Sequence, residues 1–356
     1  MSLQLSDVSK QVGAETHIHP TTLELKRGTM NVLLGRTLSG KTTLMRIMAG
    51  LDVPTEGRIF WDGQDVTGEK VQKRDIAMVY QQFINYPSMT VYENIASPLR
   101  LQGVAASEID ARVREAAGLV KLADNLLDRQ PLELSGGQQQ RCALARALVK
   151  DAGLVLLDEP LANLDYKLRE ELRAEIPKIF AASGAIFVYA TTEPHEALLL
   201  GGNTACLWEG RVTQFGPTAE VYRRPQDAVT AGVFSDPPMN FVDLSVYDAG
   251  HPVPARLLSG LPRGRYRAGF RANHLLPDPI GADELQFEAV VVGTEITGSE
   301  SFIHVSSEHG QWVVRVHGVR DPETGSRIPL YVDPAHIYIF GDDDRLVQPA
   351  SYSQVA

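Results

Sequence analysis

The sequence predicts an α/β domain with a mainly parallel sheet over residues 1–230, followed by a small all-β domain over residues 231–356. In the first part, short apolar runs alternate with stretches of helical periodicity, which is the pattern of a parallel sheet covered by helices. The runs 154–157 and 186–190 are apolar throughout, as expected of strands buried on both faces. After Pro225, prolines and glycines separate many short strand-like runs, and this texture indicates a small β-barrel.

Residues 88–150 interrupt the α/β pattern with helical periodicity. Ser107 followed by Asp110 is typical of a capped helix start. Three small or apolar residues then recur on one face of the predicted helix: Ile109, Val113 and Ala117. We therefore expect a helical subdomain inserted in the α/β domain.

Composition excludes several classes of protein. The net charge of −10 argues against a nucleic-acid partner, because a protein that neutralises phosphates needs a basic surface. The chain shows no signal-peptide pattern, and its apolar runs are far shorter than the ~20 residues that cross a bilayer. Cys142 and Cys206 lack metal-ligand spacing, so we expect two reduced thiols in a soluble, cytoplasmic protein.

The strongest local motif is a glycine loop between a strand (30–34) and a helix (42–49). Glycines let backbone N–H groups wrap phosphates, and the helix N-terminus adds a favourable field. A lysine in such a loop neutralises the β- and γ-phosphates, and the hydroxyl that follows ligates Mg²⁺. The pattern predicts an ATP–Mg²⁺ site formed by Gly35-Arg36-Thr37-Leu38-Ser39-Gly40-Lys41-Thr42 with Thr43.

Two carboxylates follow the buried strand 154–157. Asp158 ends the strand, where a carboxylate can hold Mg²⁺ directly or through water. Glu159 comes next and is the candidate to orient and deprotonate the attacking water. A solvated loop is the alternative for such a pair alone, but the upstream glycine loop makes a catalytic role the better interpretation.

A second glycine motif opens the helix that carries Ala143 and Leu144. Its members are Ser135, Gly136, Gly137 and Gln138, preceded by Leu134 and followed by Gln139-Gln140-Arg141. Exposed N–H groups and a serine hydroxyl at a helix start form an anion site. Here the chain resembles the ATP-binding subunits of ABC transporters, in which this signature covers the ATP of the partner subunit.

This resemblance implies a RecA-like P-loop ATPase domain followed by an OB-like, TOBE-type β domain. It also implies that Gln81 links the γ-phosphate and the Mg²⁺ site to the membrane subunits, and that Asn163-Leu164-Asp165 contacts the second ATPase. Three segments of the C-terminal part resemble carbohydrate importers of the maltose and glycerol-phosphate type: Met239-Asn240-Phe241, Gly298-Ser299-Glu300 and Asp333-Pro334. Leu38-Ser39, residues 82–87 and residues 191–194 are most similar to glycerol importers that use two unlike ATPase subunits.

One departure from the family concerns the residue that senses the γ-phosphate. The family has Thr-His-Asp after the strand, whereas this chain has Thr191-Thr192-Glu193, and the following Glu196-Ala197 fixes the register. Thr192 therefore stands at the histidine position and cannot supply an imidazolium charge. His195 is the alternative, but it lies nearly a turn further on, past a proline, and a surface histidine is the simpler interpretation.

The other departure concerns the adenine. The family places an aromatic residue where this chain has Val12, and base–aromatic stacking is worth about 1–3 kcal/mol. We therefore expect weakened adenine binding. His17 or His19 is an alternative ring, although exposed loop histidines remain the simpler interpretation.

The two departures affect this chain's own nucleotide, whereas the signature that serves the partner's nucleotide is complete. This asymmetry leads to the hypothesis of a heterodimer with a non-identical ATPase subunit. The resemblance further implies two integral-membrane permease subunits, an indirect periplasmic solute-binding partner, and a peripheral location on the cytoplasmic side of the bacterial inner membrane.

Other interpretations stay open from the sequence. The chain could form a homodimeric importer ATPase for a sugar or glycerol phosphate, or a regulatory subunit that binds ATP without turnover. An ABC ATPase that acts on DNA or ribosomes is disfavoured by the single phosphate loop and the acidic balance. The resemblance implies a carbohydrate or polyol as the transported solute, with glycerol favoured.

Overall fold

The computed structural model describes residues 2–162, 164–245, 260–281 and 283–354. Asn163, one of the residues assigned to the partner-contacting loop, lies outside them. The chain divides into two compact units, Met1–Thr218 and Ala219–Ala356. Across the described residues, no helix combines the length and the apolarity that a membrane span requires.

The first unit has two sheets and a set of helices. Its strands are β1 (Ser2–Val12), β2 (Glu15–Lys26), β3 (Met30–Leu34), β4 (Glu56–Trp61), β5 (Gln64–Asp65), β6 (Ile76–Val79), β7 (Leu154–Asp158), β8 (Ile186–Thr191), β9 (Asn203–Trp208) and β10 (Arg211–Pro217). Its helices are α1 (Lys41–Ala49), α2 (Val91–Leu101), α3 (Ala106–Leu119), α4 (Gly136–Leu148), α5 (Tyr166–Ser183) and α6 (Pro194–Leu200).

The larger sheet has six strands in the order β10-β9-β3-β8-β7-β6. Strands β6, β7, β8, β3 and β9 pair in parallel, and β10 adds an antiparallel edge. Every residue of β3, β7 and β8 is buried, which explains why these strands are mostly apolar. Their polar members are Asn31, Asp158 and Thr191. The predicted α/β class with a mainly parallel sheet is confirmed, and the carboxyl ends of β3, β7 and β8 meet at one edge.

The smaller sheet of this unit is antiparallel, in the order β2-β1-β4-β5. Apolar side chains of β1, β2 and β4 share one core with α1 and with the parallel sheet. The hairpin of β1 and β2 therefore lies beside the glycine loop that precedes α1.

Helices α2, α3 and α4 form the predicted helical region. Ile109, Val113 and Ala117 are buried on one face of α3, as their spacing predicted. The predicted cap was wrong, because α3 begins at Ala106 with Ala105 at the cap position and Ser107 inside the first turn. Ala105 offers no side-chain acceptor, so the start of α3 is set by packing of the apolar face.

The second unit is mostly β-structure. Its elements are α7 (Thr218–Arg223), α8 (Ala228–Val233), β11 (Asn240–Ser245), β12 (Arg265–Phe270), β13 (Leu275–Leu276), β14 (Leu285–Ile296), β15 (Glu300–Ser307), β16 (Gly310–His317), β17 (Arg327–Val332), β18 (Tyr338–Gly341) and β19 (Leu346–Gln348). The strands form two sheets, β11-β12-β18-β19 and β13-β17-β14-β15-β16, which share an apolar core.

The structural division after Thr218 precedes the sequence-based boundary at residue 230. The difference arises because α7 and α8 bond to the β-structure of the second unit. The Arg271 guanidinium donates to the Tyr222 carbonyl at 2.7 Å, and the Ala228 N–H donates to the Asp344 carbonyl at 2.9 Å. The short strand-like runs separated by prolines begin only after these helices. The boundary predicted from them therefore lies later in the chain than the structural one.

Candidate nucleotide-binding site

The glycine loop connects the end of β3 to the start of α1. Its backbone is unusual, since Leu38 and Gly40 have φ angles of 67° and 102°. At Gly35, a Cβ atom would lie 2.5 Å from the Leu207 carbonyl oxygen, so only glycine fits without displacement. Gly35 is therefore explained by the close approach of neighbouring backbone, and Gly40 by its positive φ angle.

Lys41 is the first residue of α1, and its side chain folds back over the loop. Its Nζ donates to the Gly35 carbonyl at 2.7 Å and to the Arg36 carbonyl at 3.0 Å, and lies 3.6 Å from Glu159 Oε1. Burial lowers the pKa of the Lys41 ammonium, while the carboxylates of Glu159 and Asp158 act in the opposite direction. The loop thus holds a buried cation where it could neutralise the phosphates of a bound nucleotide.

The Thr42 hydroxyl donates to Asp158 Oδ2 at 2.7 Å. Burial raises the pKa of the Asp158 carboxyl, against the effect of the Thr42 hydrogen bond and of Lys41. Among the described residues, no cluster of three or more His, Cys, Asp or Glu side chains could hold a metal by itself. The pair fits Mg²⁺, which takes hard oxygen ligands and commonly uses one or two carboxylates with phosphate oxygens.

Glu159 follows Asp158 with a φ of 47°, a conformation that non-glycine residues rarely adopt. Its N–H donates to the Ala190 carbonyl at 3.0 Å, which ties β7 to β8. Its Oε2 accepts from Gln81 Nε2 at 3.0 Å. The structure therefore brings Gln81, Glu159 and Lys41 together from three separate segments, and the strained backbone is of the kind found at functional sites.

These groups face a cleft of about 710 Å³. It is lined by Glu15, Thr16, His17, Thr37, Leu38, Ser39, Gly40, Lys41, Thr42, Thr43, Gln81, Glu159, Glu209 and Gly210. Residues 37–43, Gln81 and Glu159 were predicted and line the cleft, and so does His17, the alternative ring for adenine, which lies half-buried on β2 and not in an exposed loop. Gly35, Arg36, Asp158 and Thr192 are outside this lining, and Glu15, Thr16 and the Glu209-Gly210 turn were not assigned to the site. Val12 ends β1 and is half-exposed, outside this lining.

The missed segments have a simple geometric origin. The Gly210 N–H donates to the Ser39 carbonyl at 3.0 Å, and the His19 N–H donates to the Gly210 carbonyl at 2.8 Å. A Cβ atom on Gly210 would lie 2.5 Å from the His17 carbonyl oxygen. Gly210, in the turn between β9 and β10, is the residue in the sequence that could have indicated this part of the site. Its contacts are with residues far away in the chain, so the sequence pattern does not reveal them.

Thr192 follows β8 directly and is exposed. The carbonyl of the preceding Thr191 accepts from the Gly35 N–H at 3.3 Å, while Ala190 accepts from Glu159. Thr192 thus emerges from the strand that lies between the glycine loop and the carboxylates. His195 is exposed on α6, whose first residue is Pro194.

The segment around Thr192 is fixed by a buried carboxylate. Glu196 Oε2 accepts from the Thr191 hydroxyl at 2.6 Å and from the Tyr189 hydroxyl at 3.1 Å. Its Oε1 accepts from the buried Arg173 guanidinium at 3.2 Å. This network explains physically why the Glu196-Ala197 pair keeps its register relative to β8.

Removing this carboxylate should destabilise the first unit. Glu196→Ala removes the buried partner of Arg173 and leaves only the part-exposed carboxylates of Glu170 and Glu193 beside that buried charge. We expect a loss of about 3 kcal/mol in the free energy of unfolding, measured by urea denaturation. Glu193→Ala is the matched control, since Glu193 also lies 3.6 Å from Arg173 but is 46% exposed. The control should cost less than about 1 kcal/mol. Equal losses in the two variants would contradict the assignment of Glu196 as the buried partner.

The signature motif begins α4. Ser135 is the N-cap residue: its hydroxyl accepts from the Gln138 N–H at 3.4 Å, and its own N–H donates to Gln138 Oε1 at 2.9 Å. This reciprocal capping box leaves the N–H groups of Gly136 and Gly137 at the helix start. The four signature residues are outside the lining of the cleft described above.

The segment between Gln81 and α2 is attached to α4 as well. Asn94 of α2 bonds to both the N–H and the carbonyl of Tyr86, at 2.8 and 3.0 Å. Arg146 of α4 donates to Asn94 Oδ1 at 3.1 Å and stacks over the Tyr86 ring at 4.8 Å. Asn85 donates to the Gln139 carbonyl at 2.8 Å. Hydrogen bonds therefore connect the segment between Gln81 and α2 to α4, the helix that carries the signature.

A glycine loop between a buried parallel strand and a helix, with Lys41 above it and two carboxylates on the neighbouring strand, defines a P-loop nucleoside triphosphatase. Residues 18–162 match the family model described as ABC transporter, and residues 268–340 match that of the TOBE domain.

Relatives extend over nearly the whole chain. The sn-glycerol-3-phosphate import ATP-binding protein of Cupriavidus necator is 36% identical over 96% of this chain and 97% of its own length. The trehalose/maltose import ATP-binding protein of Thermococcus litoralis is 44% identical over 70% of this chain and 68% of its own length. The chain belongs to the family of ATP-binding subunits of ABC transporters, with a C-terminal TOBE domain.

Solved structures agree with the fold of the first unit. An ATP-binding cassette dimer in a post-hydrolysis state with ADP and phosphate has a TM-score of 0.56 and 28% identity, over 61% of this chain and 98% of that one. The protein cbiO1 from Clostridium perfringens, part of the ABC transporter complex cbiONQ, has a TM-score of 0.56 and 26% identity, over 62% of this chain and 90% of that one. The predicted resemblance, fold class and ATPase class are thereby confirmed.

Proposed function

We propose that this protein is the energy-coupling subunit of a bacterial membrane importer for a carbohydrate or polyol, with glycerol as the favoured solute. The observation that carries the importer class is similarity through both units to proteins named for sn-glycerol-3-phosphate import, over 94–96% of the chain. The preference for glycerol rests instead on Leu38-Ser39, residues 82–87 and residues 191–194, which resemble glycerol importers. ATP binding and hydrolysis would drive transport through two integral-membrane permeases, supplied indirectly by a periplasmic solute-binding protein. The subunit would lie at the cytoplasmic face of the inner membrane.

At the nucleotide, Lys41 and the backbone of residues 35–43 would bind the phosphates. Thr42 and Asp158, with the Gln81 side chain, would hold Mg²⁺, which would withdraw charge from the β- and γ-phosphates. Glu159 lies beside Lys41 and Gln81, where it can orient and deprotonate the attacking water.

The chain's own site would work poorly. Thr192 occupies the position of a γ-phosphate-sensing histidine, and loss of one preorganised donor at a developing charge costs about 10²–10³ in rate. The signature Ser135–Gln138, by contrast, keeps its capping box and its free helix start. We infer a pairing with a non-identical ATPase subunit, in which this signature completes the competent site of the partner.

Restoring an aromatic ring at position 12 should strengthen nucleotide binding. Val12→Tyr should raise the affinity for ATP about tenfold, because base stacking contributes about 1–3 kcal/mol. Val12 is half-exposed at the end of β1, so the larger side chain meets little steric resistance. Equilibrium ATP binding without Mg²⁺ measures the effect, and Val12→Leu controls for apolar bulk. An equal gain with leucine would contradict a stacking role.

Co-purification followed by transport tests the proposed function. The chain carrying an affinity tag should retain permeases and a second ATPase, and the assembly should import glycerol in preference to glycerol phosphate or sugars. Retention of a second copy of this chain alone would overturn the unequal pairing. Import of only a sugar would overturn the assignment of glycerol and leave the importer class standing.

A further inference from the structure

The second unit contains a polar cleft of about 530 Å³ that the proposed transport role does not use. One wall is the segment 276–280, which begins at the last residue of β13, and the other consists of the start of β15 and the end of β16. This volume is within the range of small-molecule sites, about 300–1,000 Å³.

The sheet wall presents charged groups on a fixed framework. Glu300 and His317 are direct partners across β15 and β16, and Arg315 lies two residues before His317 on the same face. Arg315 donates from both Nε and one terminal nitrogen to Glu300 Oε1, at 3.0 and 2.7 Å. Because both bonds go to a single oxygen, the other oxygen of the Glu300 carboxylate faces no donor from this pair.

The opposite edge is held by a second ion pair. Arg320 donates to Asp278 Oδ2 at 2.7 Å, and Asp278 stands between Pro277 and Pro279, which restrict its backbone. The backbone of Arg320 is anchored separately, since its N–H donates at 2.9 Å to the buried hydroxyl of Ser301. The Arg320–Asp278 pair is more than half exposed, and such pairs contribute little stability, so they exchange readily for ligand hydrogen bonds.

The chemistry of this lining indicates the class of ligand. Two guanidinium groups are balanced by two carboxylates, so a simple anion would meet as much repulsion as attraction. Guanidinium groups only donate and carboxylates only accept, whereas a hydroxyl does both. Leu276, Ile280 and Val316 add apolar surface for C–H groups. We propose that this cleft binds a small neutral polyhydroxylated molecule, no larger than a monosaccharide.

Binding of D-glucose and glycerol to the full-length chain tests the proposal, by saturation-transfer NMR and calorimetry, with inorganic phosphate as the anionic probe. At least one of the two polyhydroxylated probes should bind saturably. Arg320→Ala and Asp278→Asn should each lower that affinity about tenfold or more, since each removes charge-assisted hydrogen bonds. Arg345→Ala is the matched control, because it removes an exposed arginine beside Asp343 in the same unit, away from the cleft lining.

Both cleft substitutions are on the surface, and an unchanged amide NMR spectrum of the second unit away from the cleft will verify that this unit is intact in the variant chains. Failure of both glucose and glycerol to bind would overturn the proposal. So would an affinity that is the same in wild type, Arg320→Ala and Asp278→Asn, which would place binding elsewhere. Saturable binding of phosphate without glucose or glycerol would replace it with an anion site.

Discussion

Replacing Thr192 with histidine should raise ATP hydrolysis at this chain's own site by about 10²–10³-fold, the contribution of one preorganised donor to a charged transition state. Thr192 is exposed and emerges from β8 between the segments that carry Gly35 and Glu159. A histidine there should therefore fold without repacking the core. Steady-state phosphate release from the assembled complex measures the effect, with the partner subunit's own catalytic glutamate inactivated so that only this site turns over.

Two further variants make this result specific. Thr192→Asn introduces a polar side chain without an imidazole and should recover much less of the rate. His195→Ala removes the alternative histidine and should leave the wild-type rate unchanged, because His195 is exposed on α6. A substantial loss in His195→Ala, or no gain in Thr192→His, would show that Thr192 does not limit hydrolysis.

Gly136→Asp should lower the ATPase rate of the assembled complex by about 10²-fold or more, through the partner's nucleotide. A side chain fits at this position, because a Cβ atom would meet its nearest neighbour, Phe83 Cζ, at an ordinary 3.7 Å. The variant should therefore keep its fold while placing a negative charge at a helix start that would face the γ-phosphate. Gly136→Ala adds the same Cβ without the charge and serves as the matched control.

The comparison with Lys41→Ala tests the proposed asymmetry. Lys41 serves the nucleotide of this chain, so its loss should have the smaller effect on steady-state turnover if the competent site belongs to the partner. The readout is the ratio of the two losses, measured in the same complex. A loss in Lys41→Ala that equals the loss in Gly136→Asp would indicate two working sites and argue against a specialised pair.

We could predict the phosphate loop, the carboxylates and the buried strands because each depends on residues that are close together in the sequence. β3 and the start of α1 enclose the glycine loop within a few residues, and β7 delivers Asp158 and Glu159 directly. The continuous apolar runs 154–157 and 186–190 also predicted the burial of β7 and β8 on both faces. The helical region and the β-rich second unit followed from periodicity and turn residues in the same way.

The end of the cleft formed by Glu15–His17 and the Glu209-Gly210 turn could not be predicted in this manner, although His17 was considered as a ring for adenine. His17 and Gly210 are far apart in the chain and meet only because β2 and the turn after β9 both pack beside the loop. The cap of α3 failed for a related reason: Ser107 offered the right chemistry, but burial of Val113 and Ala117 placed the helix start two residues from the predicted cap. In both cases the structure is determined by packing between distant residues, which the local sequence pattern does not show.

The bonds of Asn94 have a consequence for the timing of the catalytic cycle. One buried amide joins Tyr86, α2 and, through Arg146, the helix of the signature. A displacement of residues 85–86 would therefore be transmitted to α4. Under the proposed pairing, a movement near one nucleotide would then be coupled to the signature that faces the other. In a pair with one slow site, such a linkage would let the slow subunit limit the rate at which the faster partner returns to its starting conformation after hydrolysis.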